Sequence, residues 1–178
     1  MAHALDRIGE LLDFWFADAP RLDGELAGRF GDDLARAARG ELDHWLDSAD
    51  GALALVILLD QMPRRVFAGK AQAFSFDSHA MAVAESAVLR GHDRALPPDR
   101  RRVLYMPFLH SESLPDQRYG VSLFEQAGDD TEGLELARAA CAVIERFDRF
   151  PQRNHILDRE TSPEEEAFLN SQAALMEM

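Results

Sequence analysis

Strand-forming residues are scarce in this chain, and that limits what it can fold into. Alanine supplies 27 residues and leucine 23, whereas valine, isoleucine and threonine together supply 13. Ala and Leu enter helices at little cost, while the β-branched residues that fit a pleated sheet are too few to build one. An all-α fold is expected before any pattern is read. A chain of 178 residues buries roughly 70% of its unfolded surface on folding, enough for one core without staples. A single helical domain over residues 1–178 is the expectation.

Apolar periodicity places the helices. Leu5, Ile8, Leu11, Leu12 and Trp15 or Phe16 mark a first helix from about Leu5 to Ala17, ended by Pro20. A second runs from about Asp23 to Leu46, with Gly31 and Gly40 as possible breaks and Leu42, Trp45 and Leu46 as a second piece. Ala52–Leu59 is apolar throughout and reads as a central buried helix stopped or kinked at Pro63. Gly69 to Phe76 reads as a loop with an aromatic cluster, Phe67, Phe74 and Phe76, and Asp77 or Ser78 caps the next helix.

Pro97 and Pro98 open a helix that reaches His110 with Pro107 inside it. Pro115 opens another, with Tyr119, Leu123 and Phe124 buried and Gly128 as its end. A long helix follows from Thr131 to Phe147. Ser162, Pro163 and Glu165 then form a capping box with proline at the first helical position. This gives eight to ten helices joined by short loops, hence stacked antiparallel hairpins of a tetratricopeptide-repeat-like kind, although no 34-residue repeat is present.

Charge and composition exclude several function classes. The net charge is −13, from 32 acids and 19 bases. The excess is even, −7 over residues 1–89 and −6 over 90–178. Such a chain repels nucleic acid and anionic membrane surfaces, so neither is an expected partner. Arg100, Arg101 and Arg102 form the one basic run, read as a solvated helix face. No apolar run approaches a membrane span, and Asp6, Arg7, Glu10 and Asp13 do not suit a signal peptide, so a cytoplasmic location is expected. The one cysteine, Cys141, lies on an apolar helix face and reads as core. His44 and His79 sit in helical context and carry no assigned role. Nothing in the sequence fixes the oligomeric state.

Three stretches interrupt the apolar logic with polar residues. In Leu58-Leu59-Asp60-Gln61-Met62-Pro63-Arg64-Arg65, an acid ends a very apolar helix, where the macrodipole disfavours it and a nearby arginine must compensate. In Met106-Pro107-Phe108-Leu109-His110-Ser111-Glu112, a proline precedes three polar residues by one turn. In Arg146-Phe147-Asp148-Arg149-Phe150-Pro151-Gln152-Arg153-Asn154-His155, arginines alternate with aromatics across a helix break. Each stretch also has a plain structural reading: an ion pair at a helix end, capping by His110 and Ser111, and arginines paired with the many acids.

These stretches resemble the motifs of the domain of unknown function 924 family, found mainly in bacteria, and the likeness covers nearly the whole chain. Asp13-Phe14-Trp15-Phe16 resembles its opening motif, Leu58 to Arg64 its central one, Pro107 to Glu112 its third, and Arg146 to Asn154 its fourth. The start Thr161-Ser162-Pro163-Glu164-Glu165 fits as well. Met62 stands where Phe is more usual, Asp148 where Gly is, and Gln152 where His is. The resemblance implies an all-helical fold similar to tetratricopeptide-repeat proteins and implies no activity.

Two functions compete. In the first, a helical groove binds a small anion or a peptide carboxylate, using Arg64, Arg149, Arg153 and Asn154 with Gln61, Ser111 and an apolar wall from Trp15 or Trp45. In the second, Asp60, His110 and Glu112 act as acid–base groups with an arginine stabilising an anionic substrate. Asp60, His110, Glu112 and His155 are suitable metal ligands, but no pair has a diagnostic spacing, so no metal is expected. The absence of a phosphate loop, a dinucleotide fingerprint and a nucleophile elbow leaves no cofactor to expect. Asp60–Arg contacts and Glu112–Arg or Glu112–His contacts are expected at one rim, with at least one arginine fork left for an anionic ligand.

Overall fold

A computed structural model describes residues 2–17 and 23–176; Pro20, the expected end of the first helix, lies outside the described residues. Among the described residues every regular element is helical and there is no strand. The elements are α1 (Ala2–Phe16), α2 (Asp23–Ala38), α3 (Ala49–Val56), α4 (Met62–Val66), α5 (Asp77–Leu89), α6 (Pro98–His110), α7 (Leu114–Ala127), α8 (Thr131–Phe147) and α9 (Pro163–Met176). A π turn, Ile57–Gln61, joins α3 to α4 without a break, so these nine segments make eight helices.

The expected second helix is shorter than its periodicity suggests. Gly31 stays inside α2, but Gly40 takes φ 74°, a left-handed conformation that suits glycine and ends the helix. The Leu42–Leu46 piece is instead a 3₁₀ turn, Asp43–Asp47, that buries Trp45. Ser48 then caps α3 by accepting the Gly51 N–H at 3.1 Å. Gly51 itself is forced: a Cβ there would lie 2.1 Å from the Trp45 carbonyl oxygen.

The central helix explains its own apolarity. Residues 51–60 are all buried, because α1, α2, α5 and α6 pack around α3, the π turn and α4. Pro63 neither stops nor ends it. A proline normally meets the carbonyl four residues back. Here the Met62 N–H reaches five residues back to Ile57, and this widened turn accommodates the ring.

Beyond the central helix, α5 packs on α6, α6 on α7 and α7 on α8. Pro107 sits inside α6, as its sequence implies. Leu123 and Phe124 are buried, but Tyr119 is 42% exposed, because its ring lies edge-on against Phe108 at the surface of α7. Neither Asp77 nor Ser78 caps α5; Phe76 holds that position with no side-chain cap, and Asp77 is drawn to Arg64 instead. The capping box of α9 forms as read: the Ser162 hydroxyl accepts the Glu165 N–H at 3.2 Å, and Glu165 accepts the Ser162 N–H at 2.7 Å.

Candidate functional site

The π turn presents Asp60 to the interior rather than to a helix end. Its side chain is 1% exposed. His110 Nδ1 lies 2.8 and 2.9 Å from its two oxygens, and Arg64 Nη1 lies 3.0 Å from Oδ1. Gln61, its neighbour, also donates to it. Burial opposes ionisation of Asp60, but the His110 ring and the Arg64 charge outweigh it and hold the carboxyl below its usual range. An ionised carboxylate only accepts, so Nδ1 of His110 carries the proton. Nε2 is then the ring's remaining polar atom.

Two further carboxylates are gripped by arginines. Arg64 donates to both oxygens of Asp77, each at 2.9 Å, and to the Asp60 carbonyl at 2.9 Å. Arg159 donates to both oxygens of Glu112, at 2.7 and 3.0 Å, and the Phe150 N–H adds a third bond at 2.8 Å. Burial raises the Glu112 carboxyl, yet Arg159 and the Phe150 N–H pull it below its ordinary range. Both arginine forks are spent on bidentate pairs.

Arg153 is held differently. It closes a short 3₁₀ turn, Pro151–Arg153, that begins at the proline after α8. Its Nη2 donates to the His110 carbonyl at 2.9 Å, and its nearest carboxylate oxygen among the described residues, on Asp77, is 3.7 Å away. The guanidinium lies over two rings, Phe74 at 4.7 Å and Phe150 at 4.6 Å. Burial lowers its pKa, and the Arg64 charge lowers it further. Even so, a guanidinium stays cationic.

The end of α6 is tied off locally. Gln117, fully buried on α7, donates to the carbonyls of Leu109 at 2.8 Å and Ser111 at 2.7 Å. Ser111 donates its hydroxyl to Asp116 at 2.7 Å and accepts the Ser113 N–H at 3.1 Å. Ser111 and Asp116 border a cavity of about 430 Å³. Its charged and ring-polar lining is Asp77, His110, Glu112, Asp116 and Arg153; Phe74, Met81, Pro107 and Leu157 supply apolar wall.

Three motifs far apart in sequence therefore meet. Asp60, Gln61, Arg64, His110 and Arg153 are joined by direct contacts, and Ser111 and Glu112 line the same cavity as His110 and Arg153. The expected Asp60–Arg and Glu112–Arg contacts form, the second through Arg159 rather than the expected arginines. Three other candidates fall elsewhere. Trp15 is buried in the core beneath the Arg65 guanidinium, 5.2 Å from its ring. Arg149 pairs with Glu165 at the start of α9 and donates to the Glu160 carbonyl. Asn154 is fully buried and donates to Thr161. Among the described residues no three metal-ligating side chains gather into a metal cluster. Sequence reasoning missed Asp77, Asp116, Gln117 and Arg159. Phe74 had a signal, the aromatic cluster around it, but its use as a platform for arginine had none.

The model of the bacterial proteins of unknown function DUF924 matches residues 6–173, and the chain belongs to that family. Its fold is similar to a solved structure described as a protein of unknown function, ATU0120, from Agrobacterium tumefaciens. That structure is 38% identical and covers 96% of this chain and 99% of its own, with a TM-score of 0.87. No curated protein matches the chain.

Proposed function

We propose, from a family that supplies no activity, that the cavity at the end of α6 binds a small molecule carrying a carboxylate or similar anion. The observation that carries this reading is the state of Arg153. Of Arg64, Arg153 and Arg159, it is the one with no carboxylate at hydrogen-bonding distance among the described residues, and it lines the cavity. A cation buried this way keeps strong donors for a ligand. Its two aromatic neighbours pack against it, so little side-chain entropy is lost on binding.

Calorimetric titration of the full chain with 4-methylpentanoate, and with inorganic phosphate, tests the reading. Binding by at least one probe is expected, weakened about tenfold or more in Arg153→Ala, since charge-assisted hydrogen bonds contribute about 1.5–3 kcal/mol. Stability should change by about 1 kcal/mol or less. A loss of roughly 3–5 kcal/mol, as for a broken buried pair, or an unchanged affinity, would show that Arg153 serves the fold.

A second reading has one specific support. Asp60 engages His110 through Nδ1, which fixes the ring, and His110 lines the cavity, so Nε2 is the ring atom left for proton exchange with a ligand. It predicts that a bound ligand is chemically altered, and that His110→Gln stops the change without abolishing binding. Ligand recovered intact after prolonged incubation removes this reading and leaves the first.

A further inference from the structure

We infer that the ligand is zwitterionic, a free α-amino acid with an apolar side chain, its carboxylate on Arg153 and its ammonium on Asp116. This rests on the anion reading of Arg153 and adds to it. The starting point is the balance of charge around the cavity. Three carboxylates line it, Asp77, Glu112 and Asp116. Asp77 and Glu112 each have both oxygens hydrogen-bonded to an arginine. Asp116 has a neutral partner, the Ser111 hydroxyl, and is in no ion pair among the described residues. The cavity thus holds one acid with no cation partner and one guanidinium that shares Asp77 with Arg64 at 3.7 Å without a hydrogen bond to it, and these two do not pair with each other.

Their placement sets the spacing of the ligand's charges. Arg153 donates to the carbonyl of His110, and Asp116 accepts from the hydroxyl of Ser111. Both groups also line one cavity of about 430 Å³. A ligand that meets both must therefore carry its two charges on a small frame. An α-amino acid has its ammonium and carboxylate on one carbon, whereas a peptide of any length separates its termini. An anion without an ammonium would meet Asp116 as an unrelieved like charge in a chain of net charge −13. The apolar wall of Phe74, Met81, Pro107 and Leu157 then receives the side chain.

Three probes sharing one branched carbon skeleton separate the possibilities: L-leucine, 4-methylpentanoate and 3-methylbutylamine, each titrated into the full chain and into Asp116→Asn. The substitution keeps an acceptor for Ser111 while removing the charge. L-leucine is expected to bind the unmodified chain at least tenfold more tightly than either single-charge probe. Asp116→Asn should lower leucine affinity tenfold or more and leave 4-methylpentanoate unchanged or tighter. If 4-methylpentanoate binds as tightly as leucine and depends on Arg153, the zwitterion is overturned and the anion pocket stands. If leucine does not bind and 4-methylpentanoate is indifferent to Arg153→Ala, both are overturned. The comparison on the unmodified chain decides the matter even if Asp116→Asn fails to fold.

Discussion

Arg102 and Arg153 meet opposite ends of α6, and they are held in opposite ways. Arg102, one turn into the helix, sends Nε to Asp130 at 2.7 Å, Nη2 to the same carboxylate and Nη1 to Glu132 at 2.8 Å. Asp130 in turn caps α8 by accepting the Gly133 N–H at 2.9 Å. The bond to Asp130 raises the Arg102 pKa, whereas burial lowers that of Arg153. One arginine has its donors on acids of its own chain and fastens a helix start. The other rests on two aromatic faces and one carbonyl and opens onto a cavity. Arg149, on Glu165 and the capping box of α9, belongs with Arg102. Abundant arginine therefore says little about function; what an arginine's donors already touch says more.

The largest expected effect lies at the Arg153 end of α6, at Asp60, which holds His110. Asp60→Ala should cost about 3–5 kcal/mol, because it leaves Arg64 without one of its two carboxylate partners and His110 without its anchor. Urea unfolding with an unchanged slope measures this. A cost below about 1 kcal/mol would mean that the cluster is as loosely coupled as a surface pair and would remove the contrast.

Arg102→Ala should cost less, about 1–2 kcal/mol. The arginine is 29% exposed, so solvent screens part of the interaction, and Asp130 keeps its cap on Gly133 after the change. Binding of 4-methylpentanoate should be untouched. This is the reverse of the pattern expected for Arg153→Ala, so unfolding and titration run on both variants sharpen the division. Equal losses of affinity from both would dissolve it.

How far the sequence reveals this division depends on the residue. The helices were legible because apolar spacing and proline or glycine punctuation agree, as in α8 and the α9 capping box. The π turn was not legible, since residues 51–59 are apolar all round and carry no phase that an extra residue could shift. The meeting of Asp60, His110 and Arg153 could be read because each polar residue interrupts an apolar stretch near a proline. Asp77 could not be read as a partner: an acid at the first turn of a helix looks the same whether it serves the dipole or an arginine. Arg159 lies in a segment without periodicity, so nothing marked it for Glu112. Trp15, within the opening motif, reads as an apolar wall for a ligand, but its large apolar area is buried in the core.

The smallest effect concerns the turn that delivers Arg149 and Arg153 from α8. Asp148 follows the last helical residue with φ 56° and ψ 11°, and its N–H reaches the Ile144 carbonyl at 2.9 Å. That is the left-handed helix cap, where a β-carbon costs about 1 kcal/mol and glycine is preferred. A carboxylate there also faces the negative end of the helix, a further cost of about 0.3–1 kcal/mol. Asp148→Gly removes both penalties and adds unfolded-chain entropy of about 0.4–1 kcal/mol in the other direction. The balance is a gain of about 0.5–1 kcal/mol, a rise in Tm of about 1–4 °C for a chain of this size. Affinity for 4-methylpentanoate should stay the same, because Arg153 is positioned by Phe74, Phe150 and the His110 carbonyl rather than by Asp148. A fall in Tm would show that the aspartate side chain stabilises the turn by more than its backbone strain costs. A change in affinity would show that the turn, and not the aromatic pair, sets where Arg153 stands.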